Sequence, residues 1–322
     1  MKYLGITLFL LACLGIGALL GSLFLRGKPK PLHPAGAEVR PIAGEIPQIR
    51  GLHSSLTLAS PLDQWQARAK HDAQLGATWL TVDAPAAAFD APASASALAQ
   101  IAKTAHDASL KLILIADIKP YQSLNMDNPS QGPSPALPPH LQALQPLLSA
   151  AGAAGIDVLA LDPHMGETEP ADDAWSAFLP AVKTLCKIPL CYVSDYSAYA
   201  RVTWWSQVDY IGIRGPIPLT TSPDADLHKL QMSLRSRLDV LSTLNWPDTK
   251  PVLLLDLAYT GPAPRSDLSY HAAVTITRGQ PWLGGLFLRP GTPEQEAIIQ
   301  SEWKTTSAAT TTAPATRPAT AP

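Results

Sequence analysis

The residues of this chain best suited to chemistry recur at one kind of place, the downstream end of short apolar runs. Reading the residue at or just beyond each run gives His53, Asp83, Asp117, Asp162, Asp195, Arg214, Asp256 and Arg289. All eight are ionisable and five are aspartates, so a cleft that collected them would be rich in acid–base and hydrogen-bonding groups. Three chemistries suit such a set. Paired carboxylates serve as acid and nucleophile on a glycosidic bond, hard oxygen ligands hold a divalent cation, and carboxylates with guanidiniums hydrogen-bond sugar hydroxyls. No spaced ligand motif of the D-x-D-x-D-G kind supports the cation, so neither a metal nor a cofactor is expected. The ordinary alternative is that aspartates at strand-to-loop junctions cap turns and helices. That accounts for any one of them better than for a complete ring, and the ring favours a functional cleft.

Aromatic residues accompany these positions: Trp79, Tyr121, Tyr192, Tyr196, Trp204, Trp205 and Tyr259. Their faces stack on the apolar faces of pyranose rings or simply fill a core. Tyr192 and Tyr259 join the candidate substrate contacts, whereas Trp205, just ahead of a strand, reads as core.

The apolar runs fall at 49–52, 78–82, 111–116, 156–161, 188–193, 209–213, 252–255 and 284–288. They are short and uninterrupted, as parallel strands buried on both faces must be. Helical patterns lie between them. Ser60-Pro61 opens one and Gly76 ends it. Others cover 138–154 and 172–186, and Thr292-Pro293-Glu294-Gln295 opens the last as a capping box. The segment after the fifth run is short and its helix is the least secure. The pattern predicts an α/β chain, a single (β/α)8 TIM barrel over 49–304, with active-site positions at the carboxyl ends of the strands. A doubly wound sheet is disfavoured, because no Gly-rich phosphate loop follows the first strand.

The two ends differ from this middle. Tyr3 to Leu25 is apolar and uncharged, long enough to cross a bilayer as a helix. It continues directly into Arg26 and Lys28, which favours a retained anchor over 1–28 rather than a cleaved signal peptide. Leu10-Leu11-Ala12 before Cys13 offers a lipoprotein reading, disfavoured by the apolar dozen that follows. A single-pass membrane location is therefore expected. Arg26, Lys28 and Lys30 argue for a cytoplasmic barrel by the positive-inside rule, while a sugar-active barrel belongs outside, and the outward reading is preferred. Residues 29–48 read as a Pro-rich linker and 305–322 as a disordered Thr/Ala/Pro tail. The net charge of −2 gives no basic surface for nucleic acid. Cys186 and Cys191 are expected as buried thiols, and nothing marks a surface for self-association.

Several segments resemble glycoside hydrolase family 113, the β-mannanase-like TIM barrels. TWWSQVDYIGIRGPIPL (203–219) is similar to that family's strand-six pattern, GATWLTVD (76–83) to its second strand and LKLILIADI (110–118) to its third. The unit from IDVLAL to DDAWSAFLPAVKTL (156–185) resembles the family's fourth strand and helix. PVLLLDLAYTG (251–261) resembles its seventh strand and GGLFLRPG its last. The likeness implies a polysaccharide or oligosaccharide partner, and it also implies that catalysis is altered. The position of the family's acid/base Glu holds His164, and that of its nucleophile Glu holds Asp256. Asp195 stands for an asparagine, and Ala116-Asp117 for a Pro-His pair. Shortening the nucleophile by one methylene withdraws its oxygen by roughly 1.5 Å, and a misplacement near 1 Å costs about a hundredfold in rate. Asp162, Glu167 and Glu169 lie nearby as substitutes for the acid. The expectation is a degenerate, carbohydrate-binding or envelope-associated barrel. The alternatives are an active hydrolase using Asp256 with Asp162, His164 or Glu167, and a scaffold whose aspartates only cap loops.

Overall fold

The computed structural model describes residues 49–118, 137–164, 172–220, 222, 224–243, 250–259, 265–278, 280 and 282–311. The expected anchor and linker, Tyr121, Glu167, Glu169 and the 120–136 stretch lie outside the described residues. Among the described residues no helix is long and apolar enough to cross a membrane.

Eight strands form a closed, all-parallel barrel in chain order. They are β1 (Ile49–Leu52), β2 (Trp79–Pro85), β3 (Lys111–Asp117), β4 (Val158–Asp162), β5 (Leu190–Asp195), β6 (Tyr210–Arg214), β7 (Val252–Leu257) and β8 (Leu283–Leu288). The helices are α1 (Leu62–Leu75), α2 (Pro92–Asp107), α3 (Leu137–Ala154), α4 (Asp172–Leu185), α5 (Leu227–Ser242), α6 (Arg265–Thr277) and α7 (Pro293–Thr311). The unit after β5 departs from expectation. Two short 3-10 turns, Tyr199–Arg201 and Trp205–Gln207, replace a helix there. Helix α7 also continues past 304, where the tail was expected to start; the first helix breaker in that stretch is Pro314.

Local signals acted where the sequence placed them, with small differences. Gly76 ends α1 in the left-handed region, at φ 94°. At the start of α7 Thr292 Oγ1 accepts from Gln295 N–H at 3.3 Å, but the Gln295 side chain reaches back to the Gly291 N–H at 2.7 Å. Ser60 does not cap α1; its hydroxyl accepts from Thr57 N–H. The amino ends of alternate strands are tied by the residue before the next strand. Thr78 Oγ1 accepts from Arg50 N–H, Asp157 Oδ2 from Leu112 N–H, and Asp209 Oδ2 from Leu190 N–H. These side chains satisfy strand donors at the end of the barrel away from the cavity described below. Cys186 and Cys191 are buried free thiols, as expected.

Strand alternation divides the interior into two cores. The larger lies between the strands and the helices. The smaller fills the barrel itself with Ile49, Trp79, Ile113, Ile115, Val158, Ala160, Cys191, Val193, Leu253, Leu255 and Phe287. Filling it requires small residues opposite large ones. A β-carbon on Gly51 would lie 2.2 Å from Phe287 Cδ1, so the ring occupies the space a side chain would take.

Gly51→Ala should destabilise the fold by about 1–3 kcal/mol through overpacking. Gly152→Ala in α3, where a β-carbon meets nothing within 4 Å, should leave stability unchanged or raise it by about 0.5–1 kcal/mol. Urea unfolding of both variants checks the pair, and equal effects would mean that Phe287 does not fill the barrel as described.

Candidate functional site at the carboxyl mouth of the barrel

The rim residues are continuations of the inward-facing sets. Side chains on a strand alternate between faces, so each inward apolar residue is followed two positions later by another inward one. Ile49 and Gly51 lead to His53, Trp79 and Thr81 to Asp83, and Ile113 and Ile115 to Asp117. Val158 and Ala160 lead to Asp162, Cys191 and Val193 to Asp195, Gly212 to Arg214, and Gly285 and Phe287 to Arg289. All five aspartates thus lie within strands rather than at the first residues of loops, and four of them, Asp83, Asp117, Asp162 and Asp195, continue an inward-facing set.

Strand β7 is the exception. Leu253 and Leu255 face inward, but Leu257 is fully buried in the outer core. The pairing of β7 with β8 slips between Leu254 and Leu257, and Asp256 takes φ 54°. This irregularity turns Asp256 into the mouth. His164 also has positive φ, at 52°. Such conformations are uncommon for non-glycine residues and cluster at functional sites. Both lie at the positions that the motif likeness matches to catalytic glutamates.

Together these residues enclose a cavity of about 290 Å³, lined by His53, Asp83, Asp117, Asp162, His164, Arg214, Asp256 and Arg289. Asp195 stands behind it against Arg214. Its floor includes Ile115, Val193 and Leu255, apolar residues absent from the ionisable ring although their inward register is readable from the alternation.

Two arginines organise the rim into halves. On the β3–β6 side Arg214 donates to Asp162 and, through Nε and Nη2, to Asp195 at 3.1 and 2.8 Å. Its Nη1 lies 3.1 Å from His164 Nε2. That imidazole nitrogen is also 3.4 Å from Asp162 and 3.7 Å from Asp117. On the β7–β2 side Arg289 pairs with Asp256 at 2.5 Å and reaches Asp83 at 3.7 Å and His53 Nδ1 at 3.5 Å. His53 Nδ1 stands 3.4 Å from Asp83 Oδ2. A second set of contacts holds these residues in place. Arg68, paired with the buried Asp72, donates to the His53 carbonyl, and Tyr270 donates its hydroxyl proton to the Arg289 carbonyl.

Burial pushes Asp162 up to about 7, against Arg214 and the His164 N–H, with Asp195 and Asp117 acting in the same direction as burial. For Asp83 the raising effect of partial burial is outweighed by its hydrogen bond and charge contact with His53, and by Arg289 and Arg214, so its carboxyl sits below the ordinary value. The rim therefore offers one carboxyl able to hold a proton near neutrality, beside others that accept.

Two expected contacts fall elsewhere. Tyr192 follows the inward Cys191 and so faces outward, wholly buried among Trp175, Trp204 and Trp205 with ring centroids 5.0–5.7 Å apart. It cannot reach the cavity. Tyr259 packs edge-on against Tyr270 with its hydroxyl buried, and it does not line the cavity either. Trp79 sits at the opposite end of the barrel interior, under the Lys111 ammonium. Glu167 lies outside the described residues. Among the described residues no Trp or Tyr lines the cavity.

No protein-family model and no curated protein matches the chain. Solved structures do. A GH113 β-1,4-mannanase in a complex structure aligns with TM-score 0.58 at 13% identity, over 80% of this chain and 98% of that one. The GH113 β-mannanase from Alicyclobacillus acidocaldarius in complex with ManMIm aligns with TM-score 0.53 at 16% identity, over 80% and 97%. A GH5_18 protein from Streptomyces cattleya in complex with GlcNAc aligns with TM-score 0.60 at 13% identity, over 84% and 82%. The chain has a GH113-like (β/α)8 barrel fold, and at these identities the likeness extends to the fold alone.

The folded chain holds the Asp162 proton up to about pH 7, whereas an unfolded Asp releases it near pH 4. This group's contribution to stability is therefore complete below about pH 4 and is lost as pH rises toward 7. Asp162→Asn should gain on the wild type across pH 4–8 by up to about 4 kcal/mol, read as the difference in unfolding free energy. A difference that does not change with pH would mean that Arg214 keeps Asp162 ionised throughout.

Proposed function

We propose that this protein is a membrane-anchored, glycoside-hydrolase-like barrel that binds carbohydrate at its carboxyl mouth without cleaving it. The observation that carries this reading is the engagement of both candidate reacting carboxyls by guanidiniums, Asp162 by Arg214 and Asp256 by Arg289. A retaining hydrolase needs one carboxylate directed at the anomeric carbon and one acid directed at the leaving oxygen, about 5–5.5 Å apart. Here each carboxyl is committed to its own arginine, and neither matched position carries a glutamate. Hydroxyl recognition suits the same groups well, because charged acceptors and guanidinium donors make strong hydrogen bonds to sugars. The cavity, at about 290 Å³, stands at the small end of ligand pockets, which suits a short saccharide or the end of a longer one.

The tether rests on the uncharged run from Tyr3 to Leu25, and the spacer on the Pro-rich 29–48. We place the barrel on the extracytoplasmic side, where envelope polysaccharide is met. His53, Asp83, Asp117, Asp195, Arg214 and Arg289 are the proposed saccharide contacts or their supports.

One observation favours a second reading, a working hydrolase. Asp162 retains a proton up to about pH 7 and shares the cavity with Asp256, as an acid and a nucleophile would. Reducing-end release from mannan, cellulose and xylan fragments decides between the two, with Asp256→Asn and Asp162→Asn as controls. The expected result is no release above the Asp256→Asn level, together with retention on at least one polysaccharide. Turnover that disappears in either variant would establish catalysis and end the binding-only reading.

A further inference from the structure

The charge of the cavity points to the class of sugar, an inference that rests on the glycan-binding reading. Among the described residues five rim carboxyls face two guanidiniums, and both guanidiniums are already engaged by carboxylates. Even with a proton on Asp162, four carboxylates remain. The excess lies to one side. Asp117 and Asp162 are direct cross-strand partners on β3 and β4, and Asp83 on β2 pairs with Ile115, one inward rung below Asp117. These three side chains form an acidic wall across adjacent strands. Asp83 and Asp117 are its most exposed members, with 40% and 34% of side-chain area accessible.

A second observation comes from His53. Its side chain is 2% exposed and lines the cavity, and Nε2 is buried with no hydrogen-bond partner. In the tautomer that turns Nδ1–H toward the Asp83 carboxylate, 3.4 Å away, Nε2 is an acceptor. A buried acceptor left unpaired costs about 1–3 kcal/mol, which a donor-bearing ligand offsets. Wall and imidazole both seek donors, and no aromatic platform among the described residues competes to set specificity by stacking.

We propose that the cavity selects a sugar bearing a primary ammonium, a de-N-acetylated amino sugar, whose charged nitrogen sits against Asp83 and Asp117. An anionic sugar such as a uronate would meet like charge on this wall. An N-acetylated sugar would bury an uncharged amide where carboxylates expect a cation.

The test is calorimetric binding to the full chain in detergent. The probes are β-1,4-linked glucosamine oligosaccharides, their N-acetylated counterparts, neutral mannan and cellulose oligomers, oligogalacturonate and tri-lysine. The expected result is that the glucosamine oligomer binds at least about tenfold more tightly than its N-acetylated form, a difference of about 1.4 kcal/mol, and weakens with added salt. Asp117→Asn and Asp83→Asn should each bring the ratio of glucosamine to N-acetylated affinity close to one, whatever they do to neutral-sugar binding, with the fold of each variant checked by its thermal midpoint. Equal binding of the charged and N-acetylated forms, or tighter binding of the uronate, overturns the ammonium inference and leaves glycan binding standing. Tri-lysine binding as tightly as the glucosamine oligomer overturns the saccharide specificity. Binding to none of the sugars overturns both readings.

Discussion

Two guanidiniums inside the mouth of a closed barrel make the rest of this structure possible. Five inward aspartates on neighbouring strands would repel one another in a partly desolvated space. Arg214 spans β4 to β6 and Arg289 spans β7 to β2, so each guanidinium bridges strands as well as charges. Removing Arg214 would strand the buried Asp162 carboxyl, and a broken buried pair is far more costly than one as exposed as those of Arg289. The apolar layers below are the other half of the constraint. Phe287 over Gly51, with Ile115, Val193 and Leu255 above, closes the barrel under the polar rim and keeps water to one side. The arginines hold a geometry that the hydrophobic packing alone would not specify.

Much of this is readable in the sequence. The runs of buried β residues located all eight strands, and the ionisable residue at the end of each one lies at the mouth. The reason is parity, because an inward strand residue repeats every second position and the last inward rung meets solvent. The same parity explains the misplaced aromatic. Cys191 and Val193 face inward, so Tyr192 between them had to face out, and the pattern that located Asp195 already excluded Tyr192. Asp256 was legible only as a residue type. Alternation from Leu253 and Leu255 would aim Leu257 inward, and only the slip in β7 reverses this. The helix expected after β5 is absent because 196–209 has no 3.6-residue apolar period. Its Trp204 and Trp205 instead pack with Trp175 and Tyr192 and cover that sector of the barrel.

The fold and the site carry different weight. Barrels of this shape host many chemistries, and the alignment with mannanase structures reaches nearly their whole length at 13–16% identity. What sets the chemistry of this mouth is local: His164 and Asp256 on left-handed backbone, and arginines engaged with the carboxyls. Function here is a matter of how those side chains are held.

The left-handed backbone at Asp256 and His164 bears on how the site could change over time. Asp, Asn and Gly enter that region at little cost, whereas a longer side chain such as Glu is disfavoured there by about 1–2 kcal/mol. A glutamate placed at position 256 would therefore meet a main chain shaped for a shorter residue. Accommodating it would require the β7 slip to relax as well, two coordinated changes where the side chain alone suggests one. The conformation acts as a ratchet. While the slip persists, substitution at this position is channelled among small acceptors.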